Sequence, residues 1–259
     1  MSAQNFWQAR EMMGKPSPAR ERLAMLFDAD SFVELDGFAM TGDEPAGVVC
    51  GYGAVMGSPA CAFAQDGSGF GKVQAAKIAK LYDLALKTGI PVVGIYDSAG
   101  ARVAEGADVL AAYGELLLRI NNLSGVVPQI SLVAGTCAGS SALLACCADF
   151  VVMTKDAQFF MTPPALSQDK AEGAGTAEAA AKAGVAHVVA DGDAQAMDAV
   201  KQMLMRLPLN NLAAAPVLDF AAPAEELPAA GASGQALAAA FCDSGSVVEL
   251  LGSFADNCA

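Results

Sequence analysis

The sequence between residues 72 and 207 alternates short apolar runs with helical stripes, and this order is the strongest constraint on its fold. Apolar residues recur at helical spacing in 72–88 and 107–122, whereas 90–96 and 130–133 are continuous apolar runs of strand length. A strand, a crossover helix and a second strand form a βαβ unit, in which the two strands are parallel. We therefore expect an α/β domain built on a parallel sheet.

The flanking segments extend this pattern. Two β-rich runs, 47–55 and 60–64, are separated by Met56-Gly-Ser-Pro59 as in an antiparallel hairpin, and 31–35 is a short strand candidate. Further along the chain we expect strands at 150–153, 158–161 and 185–190, a helix at 173–183, and a helix from Asp193, as N-cap, to Leu207.

Two turns of small residues each follow a strand and precede a helix. They are Asp97-Ser-Ala-Gly-Ala-Arg102 and Gly135-Thr-Cys-Ala-Gly139, the latter within the strand–turn–helix stretch Pro128–Asp149, whose helix opens at Gly139-Ser140. Small residues let a ligand approach the backbone, and the N–H groups at a helix N-terminus attract a developing negative charge. We interpret the Pro128–Asp149 stretch as half of an active site.

Two chemical interpretations of the second turn remain open from the residues alone. In the first, Gly-x-Cys-x-Gly is a nucleophile elbow of a thiol hydrolase, with Cys137 attacking, His187 as base, and Asp169 or Asp191 orienting the histidine. In the second, no side chain attacks. Backbone N–H groups instead polarise a thioester carbonyl and stabilise the enolate formed when a proton or carboxylate leaves the α-carbon.

Composition and charge exclude several classes of function. A net charge of −13 with only 15 Lys and Arg residues argues against binding nucleic acid. No apolar run approaches the roughly 20 residues of a membrane span, and the first residues lack the apolar core of a signal peptide. We expect a cytoplasmic protein without a direct membrane span.

The cysteines predict neither a metal site nor a disulfide framework. The chain has seven cysteines, no Cys-x-x-Cys pair and one histidine, so we expect no zinc or other metal site and reduced, buried thiols. With 54% hydrophobic residues, many of them small, the chain is expected to pack closely and to leave apolar surface for a partner in a homo- or hetero-oligomer.

Both ends of the chain differ from this central region. Residues 1–27 are charged helical pieces broken by prolines, which we interpret as a solvated arm, and 212–237 has the Ala-, Pro- and Gly-rich composition of a linker. Residues 243–250 then match residues 28–35, as though a second copy of the domain were beginning.

The chain resembles the N-terminal half of the carboxyltransferase subunits of biotin-dependent acyl-CoA carboxylases and of decarboxylases such as glutaconyl-CoA decarboxylase. The matching pieces are Ala19-Arg-Glu-Arg-Leu23, Ser31-Phe-Val-Glu-Leu35, Asp97-Ser-Ala-Gly-Ala-Arg102 with Glu105-Gly106, Ser124-Gly-Val-Val-Pro-Gln-Ile-Ser131 and Gly135-Thr-Cys-Ala-Gly139. The resemblance implies a crotonase-like (ClpP/crotonase) α/β fold, a spiral of ββα units.

In that family a full-length chain holds two homologous domains, and the active site lies where an N-type domain meets a C-type domain. The resemblance implies three segments: a helical arm at 1–27, an N-type carboxyltransferase domain at 28–211, and a linker with a C-terminal arm at 212–259. It also implies a split enzyme that moves carboxylate between an acyl-CoA thioester and biotin. Its partners would be a C-type half on another chain and a biotin carboxyl carrier protein. A non-catalytic assembly subunit is the alternative.

The resemblance also assigns site residues. It implies that the Gly139 and Ser140 amides form the oxyanion hole for the thioester. The residues expected to bind substrate and CoA are Ser98, Ala99, Gly100, Ala101, Arg102 and Ala138. Arg102 and Lys72 are candidate partners for CoA phosphates or a substrate carboxylate, and Glu105 and Asp66 are candidate acids or bases. The chain departs from the family in having Ser140 where glycine is usual, and it has no zinc ribbon and no Met-Lys-Met biotinylation motif.

Overall fold

The structure, a computed structural model, describes residues 15–166, 173–223 and 230–255, together with residues 6, 7, 10, 11, 13 and 228. Its helices are α1 (Pro18–Leu26), α2 (Lys72–Thr88), α3 (Ala107–Leu123), α4 (Ser140–Cys146), α5 (Ala177–Lys182), α6 (Asp193–Arg206) and α7 (Gly234–Phe241), with 3-10 turns at Val103–Glu105 and Pro164–Leu166. Its strands are β1 (Val33–Leu35), β2 (Met40–Thr41), β3 (Glu44–Pro45), β4 (Val48–Val55), β5 (Ser58–Gln65), β6 (Val92–Ser98), β7 (Gln129–Ala138), β8 (Phe150–Thr154), β9 (Gln158–Phe160) and β10 (Val188–Ala190).

One mixed sheet organises the domain. Its strand order is β1-β4-β5-β6-β7-β8-β10, and β9 pairs with the end of β7, while β2 and β3 form a separate ribbon. β1, β4 and β5 pair antiparallel, and every pairing from β5 through β10 is parallel. The predicted hairpin and the predicted parallel series are both confirmed.

Helices cover both faces of the sheet, which explains why its central strands are apolar on both sides. On one face, Phe63 of β5 and Val133 of β7 share a core with α2 and α3. On the other, Ile95 of β6 packs with residues of α1 and α6. The alternation of side chains along each strand thus supplies two cores from one sheet.

The N-terminal segment corrects one expectation. Residues 18–26 are not a solvated arm, because Ala19, Leu23 and Leu26 are fully or almost fully buried in the second core. Ser17 caps this helix by accepting a hydrogen bond from the Arg20 N–H, and Pro18 occupies its first turn. The prolines that suggested a break therefore mark the start of a core helix.

Several boundaries also differ from the sequence prediction. β7 runs to Ala138, so residues 135–138 lie in a strand rather than in a turn, and only Gly139 makes the bend. Asp193 is the first residue of α6 and not its N-cap. The expected helix at 173–183 is confined to α5, and the expected strand at 185–190 is confined to β10. α7 lies partly in the segment expected to be a linker.

β7 changes its neighbours halfway along its length. Its first half pairs with β8, through residues 130–133, whereas its last three residues pair with β9. Its pairing with β6 shifts at the same place: Val133 is opposite Tyr96, but Cys137 is opposite Ser98. Three β7 residues, 134–136, thus face the single β6 residue Asp97, and the two extra residues form a bulge, a feature that is frequent beside active sites.

The sequence match between residues 28–35 and 243–250 extends to the backbone. Asp30 and Gly245 both have positive φ, as do Asp36 and Leu251 at the ends of the matching segments. Ser31 N–H donates to Asp28 O at 3.1 Å, and Ser246 N–H donates to Asp243 O at 3.0 Å. The first segment continues into β1 on the sheet, whereas the Leu251 N–H of the second donates to the His187 carbonyl at 2.9 Å.

Replacing Gly94 with alanine should destabilise the sheet. A Cβ at Gly94 in β6 would lie 2.6 Å from Phe63 Cζ and 2.9 Å from Tyr96 Cε2, both in the core. We expect Gly94→Ala to lower the free energy of unfolding by about 1–3 kcal/mol. Gly114→Ala is the matched control: it adds the same methyl group to exposed α3 with nothing within 4 Å and should raise stability by about 0.5–1 kcal/mol. Urea unfolding measures both, and equal effects would contradict this packing.

Candidate active site

The two turns singled out in the sequence meet at the carboxyl edge of the sheet. β6 ends at Ser98 and β7 ends at Ala138, and they are parallel neighbours. A Cβ placed at Gly100 would lie 3.5 Å from Ala138 O and 3.7 Å from Ala138 Cβ. Ligands of open α/β sheets bind at this edge, so the turns define a candidate active site.

A backbone ladder ties the Asp97–Arg102 turn to the loop that follows β5. Gly67 N–H donates to Asp97 O at 2.9 Å, Phe70 N–H donates to Gly100 O at 2.8 Å, and Arg102 N–H donates to Phe70 O at 2.8 Å. Arg102 Nε also donates to Gly69 O at 2.8 Å. The turn is therefore held as part of a paired layer rather than as a loose loop.

Glu105 and Asp66 have structural partners. The Glu105 carboxylate accepts a hydrogen bond from the Lys72 N–H at 2.7 Å and so caps the N-terminus of α2 from a different segment. The Asp66 carboxylate accepts from the Ser68 N–H at 3.1 Å within its own loop. These contacts explain both carboxylates without a role in proton transfer.

Gly139 makes the sharp bend between β7 and α4. Its backbone has φ +64° and ψ −137°, which favours glycine, and a Cβ there would have no atom within 4 Å. The Gly139 N–H donates to Phe160 O at 2.9 Å, which extends the pairing of β7 with β9 by one residue. This donor is already engaged, which alters the expectation that both the Gly139 and the Ser140 amides face a ligand.

Ser140 supplies a further backbone donor of this turn. It is the first residue of α4, and no acceptor for its N–H occurs among residues 15–166, 173–223 and 230–255. The next residues are engaged through other groups: Ser141 Oγ lies 2.9 Å from Tyr113 Oη, and Ala142 N–H donates to Gly139 O at 3.0 Å. Ser140 thus offers a backbone donor at the first residue of α4, next to Gly139, where a Cβ would have no atom within 4 Å.

The cysteine–histidine pair required by a thiol hydrolase does not form. Cys137 is fully buried, and burial raises the pKa of its thiol well above the usual value. His187 Nδ1 accepts from the Val151 N–H at 3.1 Å, and Val151 is opposite Ser131, near the other end of β7. At roughly 3.3 Å per residue this places the two groups more than about 15 Å apart.

The two carboxylates proposed to orient His187, those of Asp169 and Asp191, do not support a catalytic histidine either. Asp191 Oδ1 accepts from Lys155 Nζ at 3.4 Å, and Asp169 lies outside the described residues. Burial also lowers the pKa of His187, which makes it a weaker base. The nucleophile-elbow interpretation is therefore wrong, and the backbone interpretation of the turn remains.

The two candidate cations differ in their surroundings. Lys72 Nζ is 3.2 Å from Asp108 Oδ2, and both side chains are exposed. Arg102 forms no salt bridge with any carboxylate in the described part of the chain, although its Nε is bonded to Gly69 O. Arg102 is the better placed of the two to accept a ligand anion.

Exposed apolar side chains occur on the segments that follow the carboxyl ends of the strands. They belong to the turn after β6, the start of α3, α4 and the segment after β9: Val103, Leu110, Leu143, Met161 and Leu166. Such a grouping beside a site is typical of a surface that a partner covers.

Within the described ranges, no group of three His, Cys, Asp or Glu side chains is arranged to hold a metal ion. No helix formed by those residues is long and apolar enough to cross a bilayer.

The domain is thus an α/β sheet whose parallel strands β6 and β7 end in small-residue turns, with a backbone donor at Ser140. The chain matches the carboxyl transferase domain family over residues 13–258 and belongs to that family. The crotonase-like α/β fold expected from the resemblance is confirmed.

Its curated relatives are about twice as long. The chain is 42% identical over 223 residues to the methylmalonyl-CoA decarboxylase subunit alpha of Veillonella parvula, covering 78% of this chain and 44% of that protein. It is 41% identical over 227 residues to the propionyl-CoA carboxylase beta chain of Saccharopolyspora erythraea, covering 78% of this chain and 41% of the other. The chain thus spans less than half the length of these relatives.

Solved structures similar to this chain include a transcarboxylase and a decarboxylase. Transcarboxylase 12S, determined as a hexameric core with methylmalonyl-coenzyme A bound, superposes with a TM-score of 0.81 at 32% identity, covering 96% of this chain and 55% of that chain. A Pseudomonas malonate decarboxylase hetero-dimer gives a TM-score of 0.64 at 26% identity, covering 72% of this chain and 85% of that chain. The second match is to a chain of comparable length.

Arg22 is the residue that sequence reasoning missed. It is 8% exposed and reaches both Asp97 and the bulge of β7 from α1. The signal was present in Ala19-Arg-Glu-Arg-Leu23, where the second of two arginines lies beside the core residue Leu23, but the assignment of this segment to a solvated arm concealed it.

Burial should make Cys137 unreactive. We expect iodoacetamide to leave Cys137 unmodified in the folded protein while exposed Cys146 and Cys242 react, because alkylation needs an accessible thiolate. Peptide mass spectrometry before and after unfolding measures this difference. Rapid alkylation of Cys137 in the native state would contradict the buried placement.

Glu105 should act as a helix cap and not as a proton-transfer group. We expect Glu105→Ala to lower the free energy of unfolding by about 0.5–2 kcal/mol, because the α2 N-terminus loses its acceptor. Glu105→Gln keeps an acceptor oxygen and should retain most of the stability and the pH dependence of turnover. Loss of one limb of the pH–rate profile in Glu105→Gln would instead identify Glu105 as an acid or base.

Proposed function

We propose that this chain is the acyl-CoA-binding, N-type part of a biotin-dependent carboxyltransferase. It holds the thioester of an acyl-CoA while carboxylate moves between the α-carbon and biotin on a separate carrier protein. The observation that carries the proposal is the Ser140 N–H at the start of α4, beside open space at Gly139. Membership of the carboxyl transferase family supplies the reaction class.

The chemistry assigned to this chain is electrostatic. When the bond between the α-carbon and its carboxylate breaks, the electron pair passes into an enolate whose oxygen becomes negative. The Ser140 N–H donates to that oxygen, and the α4 N-terminus adds favourable potential. In the opposite direction the same donor stabilises the enolate formed when the α-carbon loses a proton. Ser140 in place of the usual glycine keeps this function, because the donor is the backbone.

Biotin supplies a nitrogen that carries the carboxylate. The residues present fit the substrate side of this exchange, since Gly139 leaves room for a ligand and Gly100 packs against Ala138 without a side chain between the turns. The predicted roles of Ser98, Ala99 and Ala101 in forming the CoA side of the site are part of this proposal. Arg102 would pair with a CoA phosphate or the substrate carboxylate.

A C-type half is the proposed partner. The exposed apolar residues around the site give such a half a surface to cover, and the match to one chain of a malonate decarboxylase hetero-dimer supports separate N- and C-type chains. We assign residues 28–211 to the N-type domain, 1–27 to a helical arm whose α1 packs into the core of that domain, and 212–259 to a linker and C-terminal arm that begins an interrupted second repeat. A cytoplasmic location is part of the same proposal.

Reconstitution tests the function. The chain would be combined with its C-type half and biotinylated carrier, identified by co-purification from the native source, and assayed with malonyl-, methylmalonyl- and glutaconyl-CoA. We expect carboxylate transfer to or from biotin with at least one thioester. An intact assembly that binds acyl-CoA yet transfers nothing would favour the non-catalytic assembly subunit.

The open space at Gly139 gives a sharper test. Gly139→Val should reduce kcat by at least about a hundredfold, because a side chain there enters the space assigned to the thioester oxygen and the strained turn misplaces the Ser140 donor. Gly125→Val is the control for strain: Gly125 also has positive φ with nothing within 4 Å, but it precedes β7 at the opposite edge of the sheet. Equal losses of activity in the two variants would refute the placement.

A further inference from the structure

The bulge in β7 contains backbone groups that the sheet does not pair. Between Val133, opposite Tyr96, and Cys137, opposite Ser98, the ladder with β6 is interrupted. The Ala134 carbonyl and the Thr136 N–H fall in this gap, and unpaired buried backbone groups are costly. The side chains of Asp97 in β6 and Arg22 in α1 supply the missing hydrogen-bond partners.

The carboxylate of Asp97, a residue of β6, lies in the bulge. Its Oδ1 accepts the Thr136 N–H at 3.2 Å. A Cβ at Gly135 would overlap the Asp97 carboxyl group, so glycine is required for the carboxylate to lie there. The Asp97 N–H in turn donates to Gln65 Oε1 at 3.2 Å.

Arg22, a residue of α1, donates three hydrogen bonds to this network. Its Nη2 donates to Ala134 O at 2.8 Å, its Nη1 to Asp97 Oδ2 at 2.8 Å, and its Nε to Asp193 Oδ2 at 2.9 Å. The side chain is 10% exposed, so the ion pairs are weakly screened by solvent. Although burial lowers the pKa of Arg22, its bonds to Asp97 and Asp193 outweigh this effect and raise it.

This network determines how far the two substrate-binding turns extend relative to each other. A regular parallel pairing of β6 and β7 would shift Ala138 and Gly139 by about two residues, roughly 6–7 Å, relative to Ser98 and Gly100. The bulge removes that shift, and its extra residues are held by Arg22 and Asp97.

We propose that Arg22 is a positioning residue of the active site, which fixes the register of the Gly139–Ser140 turn against the Asp97–Arg102 turn through the β7 bulge. The inference rests on the proposed function, which it deepens by assigning a second group of residues to the same reaction. Arg22 is separated from the substrate by Asp97 and the bulge and acts only through them. Its loss should therefore displace the Ser140 donor without removing any group that touches the thioester.

The test compares Arg22→Lys with Asp193→Ala in the reconstituted complex. Lysine keeps the positive charge but cannot reach all three acceptors, whereas Asp193→Ala removes one of the two ion-pair partners and leaves the Asp97 and Ala134 contacts in place. We expect Arg22→Lys to lower kcat about ten- to a hundredfold with a small change in KM, the size of effect produced by a small misplacement in an active site. Asp193→Ala should keep kcat within about twofold of the wild-type value, at a thermal stability comparable to that of Arg22→Lys.

Hydrogen exchange of the isolated chain provides a readout that does not depend on activity. Arg22→Lys should speed exchange of the Thr136 amide, which the bulge protects, while Val152 in the middle of β8 exchanges as in the wild type. Asp193→Ala should leave both amides unchanged. Should Arg22→Lys fail to fold, Arg22→Gln, whose amide can donate to only part of the network, must show the same order of effects.

The outcomes separate the two proposals. Unchanged Thr136 exchange in the Arg22 variants, or equal kcat losses in the Arg22 and Asp193 variants, would overturn the positioning role. A wild-type complex that transfers no carboxylate would overturn the proposed function and with it the catalytic consequence of Arg22. Faster Thr136 exchange in that case would locate the failure in the assigned reaction and not in the bulge network.

Discussion

The parallel pairing of β6 with β7 is the interaction on which the rest of the structure depends. It joins the two cores, because alternate residues of both strands face helices on opposite sides of the sheet. It also carries the two turns of the candidate site at its carboxyl edge. The bulge at 134–136 divides β7 into a half that belongs to the main sheet and a half that pairs with β9, and the site begins where the second half ends.

Electrostatics in this chain are local. The net charge of −13 is unfavourable for a polyanion such as the proposed CoA ligand, so the attraction that this proposal requires must come from individual groups. Arg102 lies at the edge of the site without a carboxylate partner in the described part of the chain, and the α4 N-terminus adds a partial positive charge. The buried cation Arg22 is neutralised by Asp97 and Asp193 and therefore contributes to geometry and not to attraction.

The fold was largely predictable because its strands are apolar runs and its helices carry clear stripes, as in 90–96 and 107–122. Local pattern failed where tertiary contacts decide the outcome. Residues 135–138 have the composition of a turn but continue a strand, because β9 supplies a pairing partner, and α1 is a core helix despite its charges. The meeting of the two turns followed from topology, but the engagement of the Gly139 N–H by Phe160 and the Arg22 network depend on residues distant in sequence.

A site whose donor belongs to the peptide backbone separates catalysis from side-chain identity. The Ser140 N–H is preserved by any residue other than proline that keeps α4 intact, and the bend needs the positive φ of Gly139. Under the proposed function, the exposed side chains of the neighbouring turn, such as Ala99 and Ala101, would be free to vary with the acyl group. In a family with such a site, substitutions at the surface can change the range of substrates, while the backbone bend keeps the donor in place for the same reaction.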